Sequence, residues 1–326
     1  MKDKIVDFLR TVEKNFPECK LREYLDYGKK NYKKYYQPID SNKQISALVK
    51  IGNREDHMVL ARLMNVLLKR SGMRRYNDLI KFMERNKKDL TDSMIYKLLH
   101  GWYNQSGGKR KDKKCNRDNL LAQIFYFQIK KNIPKYQINN YLDLGCGSCQ
   151  VTKILGKKLG LKPDNIIGAD IESFEEQKNW RREKNNGYKF VSIKENEKLP
   201  FPDNHFSIIS AFMVLHHIKN LNFSLQEIKR ILQPGGYLFI TEHDAFTYAD
   251  HMLIDIEHAL YMEVFTKKPE KDALKKYYGK YFDKLEWIYL LHLFGLEYKS
   301  SGYVSRTINF ELQPTREFYA IFQLQI

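Results

Sequence analysis

The sequence predicts an α/β fold: a doubly wound, seven-stranded sheet with an antiparallel C-terminal edge, preceded by a small all-α basic domain. Three observations predict it. Five short apolar segments alternate with helical segments between residues 140 and 241, a rhythm typical of a parallel sheet. Two more strand-like segments near the C terminus follow each other without a helix, which indicates an antiparallel edge. Residues 1–140 hold 32 Lys and Arg against 15 Asp and Glu, whereas residues 141–326 hold 24 of each.

The composition excludes several classes of protein. The 326 residues are 43% hydrophobic and 13% aromatic, which is too apolar for a disordered chain and long enough for two domains. No run approaches the roughly 20 apolar residues of a membrane span, and the first residues lack the apolar block of a secretory signal. Four cysteines at irregular spacing do not form a disulfide framework. We therefore expect a cytoplasmic protein.

The first part of the chain is predicted to be helical. Apolar residues recur at helical spacing over 56–69 and 76–85, and a third helix is expected around Met94–Leu99, capped by Thr91 or Asp92 and ended by Gly101. The glycine pair and the cations of residues 106–117 are typical of an exposed linker. The predicted domains are therefore 1–117, a basic helical domain with its linker, and 118–326.

The basic domain is predicted to bind RNA. A codon bias towards lysine would act on both halves of the chain, so the uneven charge favours a phosphate-rich partner. Lysines and tyrosines interleave in residues 28–36, a mixture that suits phosphates and stacked bases. A solvated helix with inward-facing tyrosines is the alternative for this segment.

The second domain is predicted element by element. Helices are expected near residues 119–131, 152–159 and 281–294, the last ended by Gly295. Strands are expected near 140–144, 165–170, 188–193, 206–212, 236–241, 296–304 and 317–326.

A glycine-rich turn carries the strongest functional signal. In Leu142-Asp-Leu-Gly-Cys-Gly-Ser-Cys-Gln150 a strand runs into a helix. Glycines there permit positive φ and close approach of a ligand, and the helix start offers amide donors. The turn lacks the Lys-Ser/Thr pair of a P-loop. Asp170 ends the second strand, where a carboxylate can accept ribose hydroxyls. The pattern predicts a nucleoside-bearing cofactor.

These residues resemble the class I S-adenosylmethionine (AdoMet)-dependent methyltransferases, in the group of ubiquinone-biosynthesis and tRNA wobble-uridine methyltransferases. The resemblance rests on residues 142–147, 168–170, 195–206, 214–218 and 231–238, and covers about 119–245. It implies a Rossmann-like domain that uses AdoMet. By the same resemblance the cofactor-binding residues are Asp143, Gly145, Cys146 and Gly147 at the methionine end, Asp170 and Ile171 at the ribose, Glu195 and Asn196 at the adenine, and Ala211 and Phe212 near the sulfonium. Three residues depart from the family pattern: Cys149 replaces a small glycine, Glu195 replaces the usual Asp, and Ser207 replaces an acid.

We expect a general base near the carboxyl ends of the fourth and fifth strands. His243, Asp244 and His216 are the predicted catalytic residues. His216 and its neighbour His217 could instead cap a helix or pack. A following helix carries His251, Asp255 and His258 on one face, as an acceptor-binding, solvated or metal-binding face. No metal is expected at Cys146 and Cys149, because no second CxxC completes a site.

The expected function is methyl transfer from AdoMet to RNA, at a base, a cap or a ribose. The alternatives are methyl transfer to a small molecule, a lipid or a protein side chain, and a non-catalytic RNA-binding protein with the same fold.

Overall fold

A computed structural model of the chain describes residues 45, 76–86, 91–106, 117–171, 189–246, 248–266, 269, 273–304 and 316–325. The strands are β1 Tyr141–Leu144, β2 Ile166–Ile171, β3 Lys189–Ile193, β4 Phe206–Phe212, β5 Leu232–His243, β6 Leu296–Tyr303 and β7 Glu317–Leu324. The α-helices are α1 Tyr76–Arg85, α2 Asp92–Gln105, α3 Arg117–Asn132, α4 Gln150–Lys158, α5 Leu221–Ile231, α6 Tyr248–Ala259, α7 Ala273–Lys276 and α8 Lys284–Leu293.

The chain forms two compact units. The helical unit comprises residues 1–112, 245–277 and 306–315, and the sheet unit comprises residues 113–244, 278–305 and 316–326. Residues 245–277 therefore belong to the helical unit although they follow β5 in sequence. The domain boundary at 117/118 stays a prediction, because the linker residues 107–116 lie outside the described residues.

The sheet confirms the predicted fold class. Its seven strands lie in the order β3-β2-β1-β4-β5-β7-β6. The first five are parallel, and β7 pairs antiparallel with both β5 and β6. The chain runs outward from β1 to β3, then returns to the other side of β1 with β4. This switch point opens a crevice at the carboxyl ends of β1 and β4, where open α/β sheets bind ligands.

The central strands are buried because helices cover both faces of the sheet. On one face α3 and α4 pack their apolar side chains, among them Phe125, Ile129 and Leu155, against Tyr141 and Phe239. The first six residues of β4 are buried. They are apolar except for Ser207 and Ser210, whose hydroxyls donate to the Asn140 carbonyl and to the Asp143 carboxylate. The predicted strand over 206–212 matches β4 residue for residue, since a mostly apolar segment bounded by turns suits a strand covered on both sides.

The helical unit has an apolar core of its own. The core joins α1, α2 and α6 through residues such as Leu79, Ile95, Leu99 and Leu253. The Thr91 side chain accepts the Met94 amide at the start of α2, which confirms that cap. The prediction that Gly101 ends the helix is wrong: α2 continues to Gln105, because an isolated glycine in a packed helix costs only about 1 kcal/mol. The helix predicted over 56–69 and the basic segment 28–36 lie outside the described residues.

The fifth strand begins at Leu232, four residues before the predicted start, because Leu232 pairs with Phe206 ahead of the Pro-Gly-Gly bend. In the parts of the chain that the structure describes, no helix is both long and apolar enough to cross a membrane.

Candidate functional site

The turn between β1 and α4 has a left-handed backbone at three positions. The φ angles are 71° at Gly145, 49° at Gly147 and 57° at Cys149. A Cβ added to Gly145 would lie 2.3 Å from a methyl of Val214, so no larger residue fits without displacement. Two glycines and one strained cysteine therefore bring this backbone close to the loop after β4. Residues held in rare conformations cluster at functional sites.

Asp170 holds the turn in place. Its side chain accepts the Gly147 amide at 2.6 Å and the Ile171 amide at 2.7 Å. The geometry fits the predicted role at a ribose, which stays a prediction.

Asp143 lies beneath the turn. Its carboxylate is 2% exposed and accepts the hydroxyls of Thr152 at 2.5 Å and Ser210 at 2.6 Å. Burial raises the pKa of this carboxyl to about 6, although both hydroxyls oppose the rise. These hydrogen bonds connect α4 and β4 to β1 and thereby stabilise the turn.

Cys146 and Cys149 lie side by side in the turn. Their sulfurs are 2.9 Å apart, and the hydrogen bond with Cys149 and burial raise the pKa of the Cys146 thiol. A Cβ on Gly168 would lie 2.8 Å from each sulfur. The missing side chain on β2 therefore makes room for both thiols, which explains how Cys149 replaces a small residue.

A cleft opens beside the turn. It encloses about 660 Å³ when the space open to solvent is included. Apolar walls come from Leu144, Ile171 and Ile193, and polar groups from Glu195 and Asn196. The cleft thus brings together residues predicted at the ribose and at the adenine, and Asn196 has a φ of 61°.

The other side of the cleft is formed by the loop after β4, including Val214, His217 and Ile218. The His217 ring nitrogen Nδ1 lies 3.0 Å from the Tyr278 carbonyl, an acceptor to which it donates. Burial, and then the neighbouring His216, lower the pKa of His217. His217 is therefore neutral at pH 7.

A buried polar cluster lies at the carboxyl ends of β4 and β5. The His216 ring centroid is 5.2 Å from that of His243 and 5.6 Å from that of Tyr281. Nδ1 of His216 lies 2.5 Å from a carboxylate oxygen of Glu242. All four side chains are buried. The structure thus joins two of the three predicted catalytic residues with two that the sequence did not single out.

Asp244, the third predicted catalytic residue, contacts Lys284 and Tyr303 instead. One carboxylate oxygen accepts the Lys284 amide at 2.9 Å, and the other accepts the Tyr303 hydroxyl at 2.9 Å. It joins β5 to α8 and β6. This gives Asp244 a structural role, and its catalytic role stays a prediction.

The two residues predicted near the sulfonium end β4. Ala211 is fully buried, and the Phe212 ring stacks on Phe125 with centroids 4.2 Å apart. Met213 follows with a φ of 56°, so the strained backbone there re-aims the chain towards Val214 and the cleft.

Glu242 and Tyr281 were missed by the sequence reasoning. Glu242 stands in Thr241-Glu-His-Asp244, and β5 is the neighbour of β4 in the observed sheet. Carboxyl ends of adjacent parallel strands meet at one edge, which could have placed Glu242 near the histidine pair. No local pattern marked Tyr281.

Comparisons with known proteins agree with this geometry. A family model described as a methyltransferase domain matches residues 142–240. The uncharacterized methyltransferase YodH of Bacillus subtilis is 32% identical over 183 residues, which are 54% of this chain and 67% of YodH. The chain belongs to the class I AdoMet-dependent methyltransferases. Members of this family are enzymes, and their cofactor is AdoMet.

Other relatives of the methyltransferase match a shorter part of it. An uncharacterized methyltransferase of Schizosaccharomyces pombe is 34% identical over 140 residues, 39% of this chain and 50% of the relative. The ubiquinone/menaquinone biosynthesis C-methyltransferase UbiE of Hydrogenovibrio crunogenus is 32% identical over 112 residues, 33% of this chain and 44% of UbiE. The chain thus spans about half the length of these two relatives.

Solved structures are similar at lower identity. A Haloferax volcanii methyltransferase, solved with the Trm112 methyltransferase activator, is 16% identical, with a TM-score of 0.45 over 65% of this chain and 95% of that chain. The YcgJ protein of Bacillus subtilis is also 16% identical, with a TM-score of 0.46 over 61% of this chain and 97% of that chain.

Proposed function

We propose that the methyltransferase transfers a methyl group from AdoMet to RNA held by its basic N-terminal region. The charge partition carries this proposal: the excess of 17 positive charges falls within residues 1–140, and the remaining residues are neutral. A phosphate-rich acceptor is the partner that such a surface favours.

The cofactor fits the residues of the sheet unit. Gly145 leaves space that a Cβ would fill, and the cleft offers apolar walls beside Ile171, Glu195 and Asn196. AdoMet supplies an electrophilic methyl group. We assign Asp143, Gly145, Cys146 and Gly147 to its methionine end, Asp170 and Ile171 to its ribose, Glu195 and Asn196 to its adenine, and Ala211 and Phe212 to the neighbourhood of the sulfonium.

His216 and His243 belong to the acceptor side of this proposal. His216 follows β4 and His243 ends β5, and His216 is the group that removes a proton from the acceptor. The protein thereby contributes orientation of the acceptor and one proton transfer, which are the main demands of methyl transfer.

A small-molecule acceptor is the second candidate. It is favoured by the similarity to UbiE, whose name assigns it to ubiquinone and menaquinone biosynthesis. On this alternative the buried aromatic and histidine cluster holds a ring-bearing acceptor, and the basic region serves another purpose.

Label transfer distinguishes the two. Full-length protein is incubated with methyl-labelled AdoMet and, in parallel, total RNA, capped RNA, protein extract and lipid or small-molecule extract. The proposal expects label in RNA. Label confined to the organic extract would support the second candidate and contradict the first.

A salt titration tests the RNA surface separately. RNA affinity should fall by about 10³ or more between 50 and 200 mM salt if six or more phosphates are contacted. Replacing Lys29, Lys30, Lys33 and Lys34 by Glu should weaken RNA binding. The matched control replaces four exposed lysines of the sheet unit, Lys157, Lys158, Lys162 and Lys189. Equal losses in both variants would contradict the proposal.

A further inference from the structure

Glu242 makes two hydrogen bonds that fix the loop after β4. Its side chain is fully buried at the end of β5. One carboxylate oxygen accepts the Leu215 amide at 2.8 Å, and the other lies 2.5 Å from Nδ1 of His216. Two consecutive residues of the loop are thus bound to one carboxylate.

The pairing determines the tautomer of His216. A carboxylate only accepts hydrogen bonds, so Nδ1 of the ring must carry the proton that faces Glu242. In the neutral ring the other nitrogen, Nε2, then has no proton and can take one up. The carboxylate also stabilises the imidazolium that forms when it does so, as a buried acid does for the histidine of a hydrolase triad.

The contact between Glu242 and His216 is shielded from solvent, because His216 is 1% exposed and Glu242 is fully buried. Here the pair adjoins His243 and Tyr281 at the edge of the sheet where a ligand is expected.

We propose that Glu242 is a positioning residue, which holds His216 as the base for an acceptor that must lose a proton. This inference rests on the proposed function. The acceptor is then a hydroxyl or N–H group, such as a ribose hydroxyl or an exocyclic amine, and not a nitrogen with an available lone pair such as N7 of guanine. The acceptor atom bonds to the methyl carbon, the carbon–sulfur electron pair remains on sulfur, and the acceptor proton passes to Nε2 of His216.

Glu242→Gln tests the inference because an amide cannot replace both bonds. Its oxygen can face only one of the two N–H donors, and its NH₂ group faces the other. With the oxygen on Leu215, the NH₂ group requires an unprotonated Nδ1, which moves the ring proton to Nε2 and removes the base. We expect kcat to fall by about 10² to 10⁴. KM and the dissociation constant for S-adenosylhomocysteine should stay within about twofold.

Two variants and one spectrum separate positioning from structure. Glu242→Asp retains a carboxylate and should recover at least about tenfold in kcat over Glu242→Gln, which keeps the test valid if the amide destabilises the loop. His292→Gln, an exposed change on α8, is the control and should leave kcat unchanged. Nitrogen-15 NMR of the His216 ring should report a protonated Nδ1 in the wild type and a protonated Nε2 in Glu242→Gln.

The outcomes are distinguishable from failure of the proposed function. If the wild-type protein neither binds S-adenosylhomocysteine nor transfers label, the proposed function fails together with this inference. If the wild type transfers label while Glu242→Gln keeps its kcat, or if nucleoside analysis finds the methyl group on guanine N7, only the inference is overturned.

Discussion

Gly145→Ala tests the physical basis of the cofactor turn. An L residue at a φ of 71° costs about 1 to 2 kcal/mol. The new Cβ, 2.3 Å from a Val214 methyl, adds about 1 to 3 kcal/mol of overpacking. Together these lower the free energy of unfolding by about 2 to 5 kcal/mol, or roughly 5 to 15 °C in Tm for a unit of this size. We also expect weaker binding of S-adenosylhomocysteine, because the turn must shift.

The assay is scanning calorimetry with an isothermal binding titration. Val214→Ala in the same chain should recover only part of the overpacking share and none of the backbone share, because the Cβ of residue 214, 2.7 Å from the added atom, remains. Gly101→Ala is the control: its Cβ would meet nothing within 4 Å, and it should stabilise helix α2 by about 0.5 to 1 kcal/mol. A Gly145→Ala protein with wild-type Tm and wild-type affinity for S-adenosylhomocysteine would show that the turn does not require glycine at this position.

Three further predictions concern the sheet unit. Burial raises the pKa of Asp143 from 3.8 to about 6, so wild-type stability should fall by about 3 kcal/mol in total as pH rises from below 3.8 to above 6. Chemical denaturation of Asp143→Asn should show no such fall. Ser207→Ala should cost about 1 to 3 kcal/mol by removing the acceptor of the Asn139 and Asn140 amides, and unchanged urea midpoints would contradict this. Arg230 donates to Glu227, to Asp203 and to the carbonyls of Phe201 and Leu199, a set of bonds that lysine cannot make. Arg230→Lys should therefore loosen the segment around Leu199, and protection of the Leu199 amide from hydrogen exchange should fall about tenfold.

Elements with a strong local pattern were predictable from the sequence. The β4 strand and the end of α8 before Gly295 were both predicted, because a mostly apolar segment and a left-handed glycine are local signals. The end of α2 was not predictable in this way, because packing of its apolar face outweighs the weak helix propensity of Gly101. The early start of β5 depends on pairing with Phe206, which no local pattern reveals.

The candidate site divides in the same way. The glycine turn and Asp170 carry a spacing that the sequence displays. The pairing of Glu242 with His216 joins residues 26 positions apart. Gly168 lies on β2, and the two cysteines that pack against it lie in the turn after β1. Such contacts depend on the register of neighbouring strands, so only the folded chain reveals them.

A crystal structure of the protein with bound S-adenosylhomocysteine would show whether the glycine turn holds the cofactor. We predict that the ligand lies beside Gly145 and Gly147, with its ribose hydroxyls within hydrogen-bonding distance of Asp170. A ligand bound elsewhere, or a ribose without contact to that carboxylate, would contradict it.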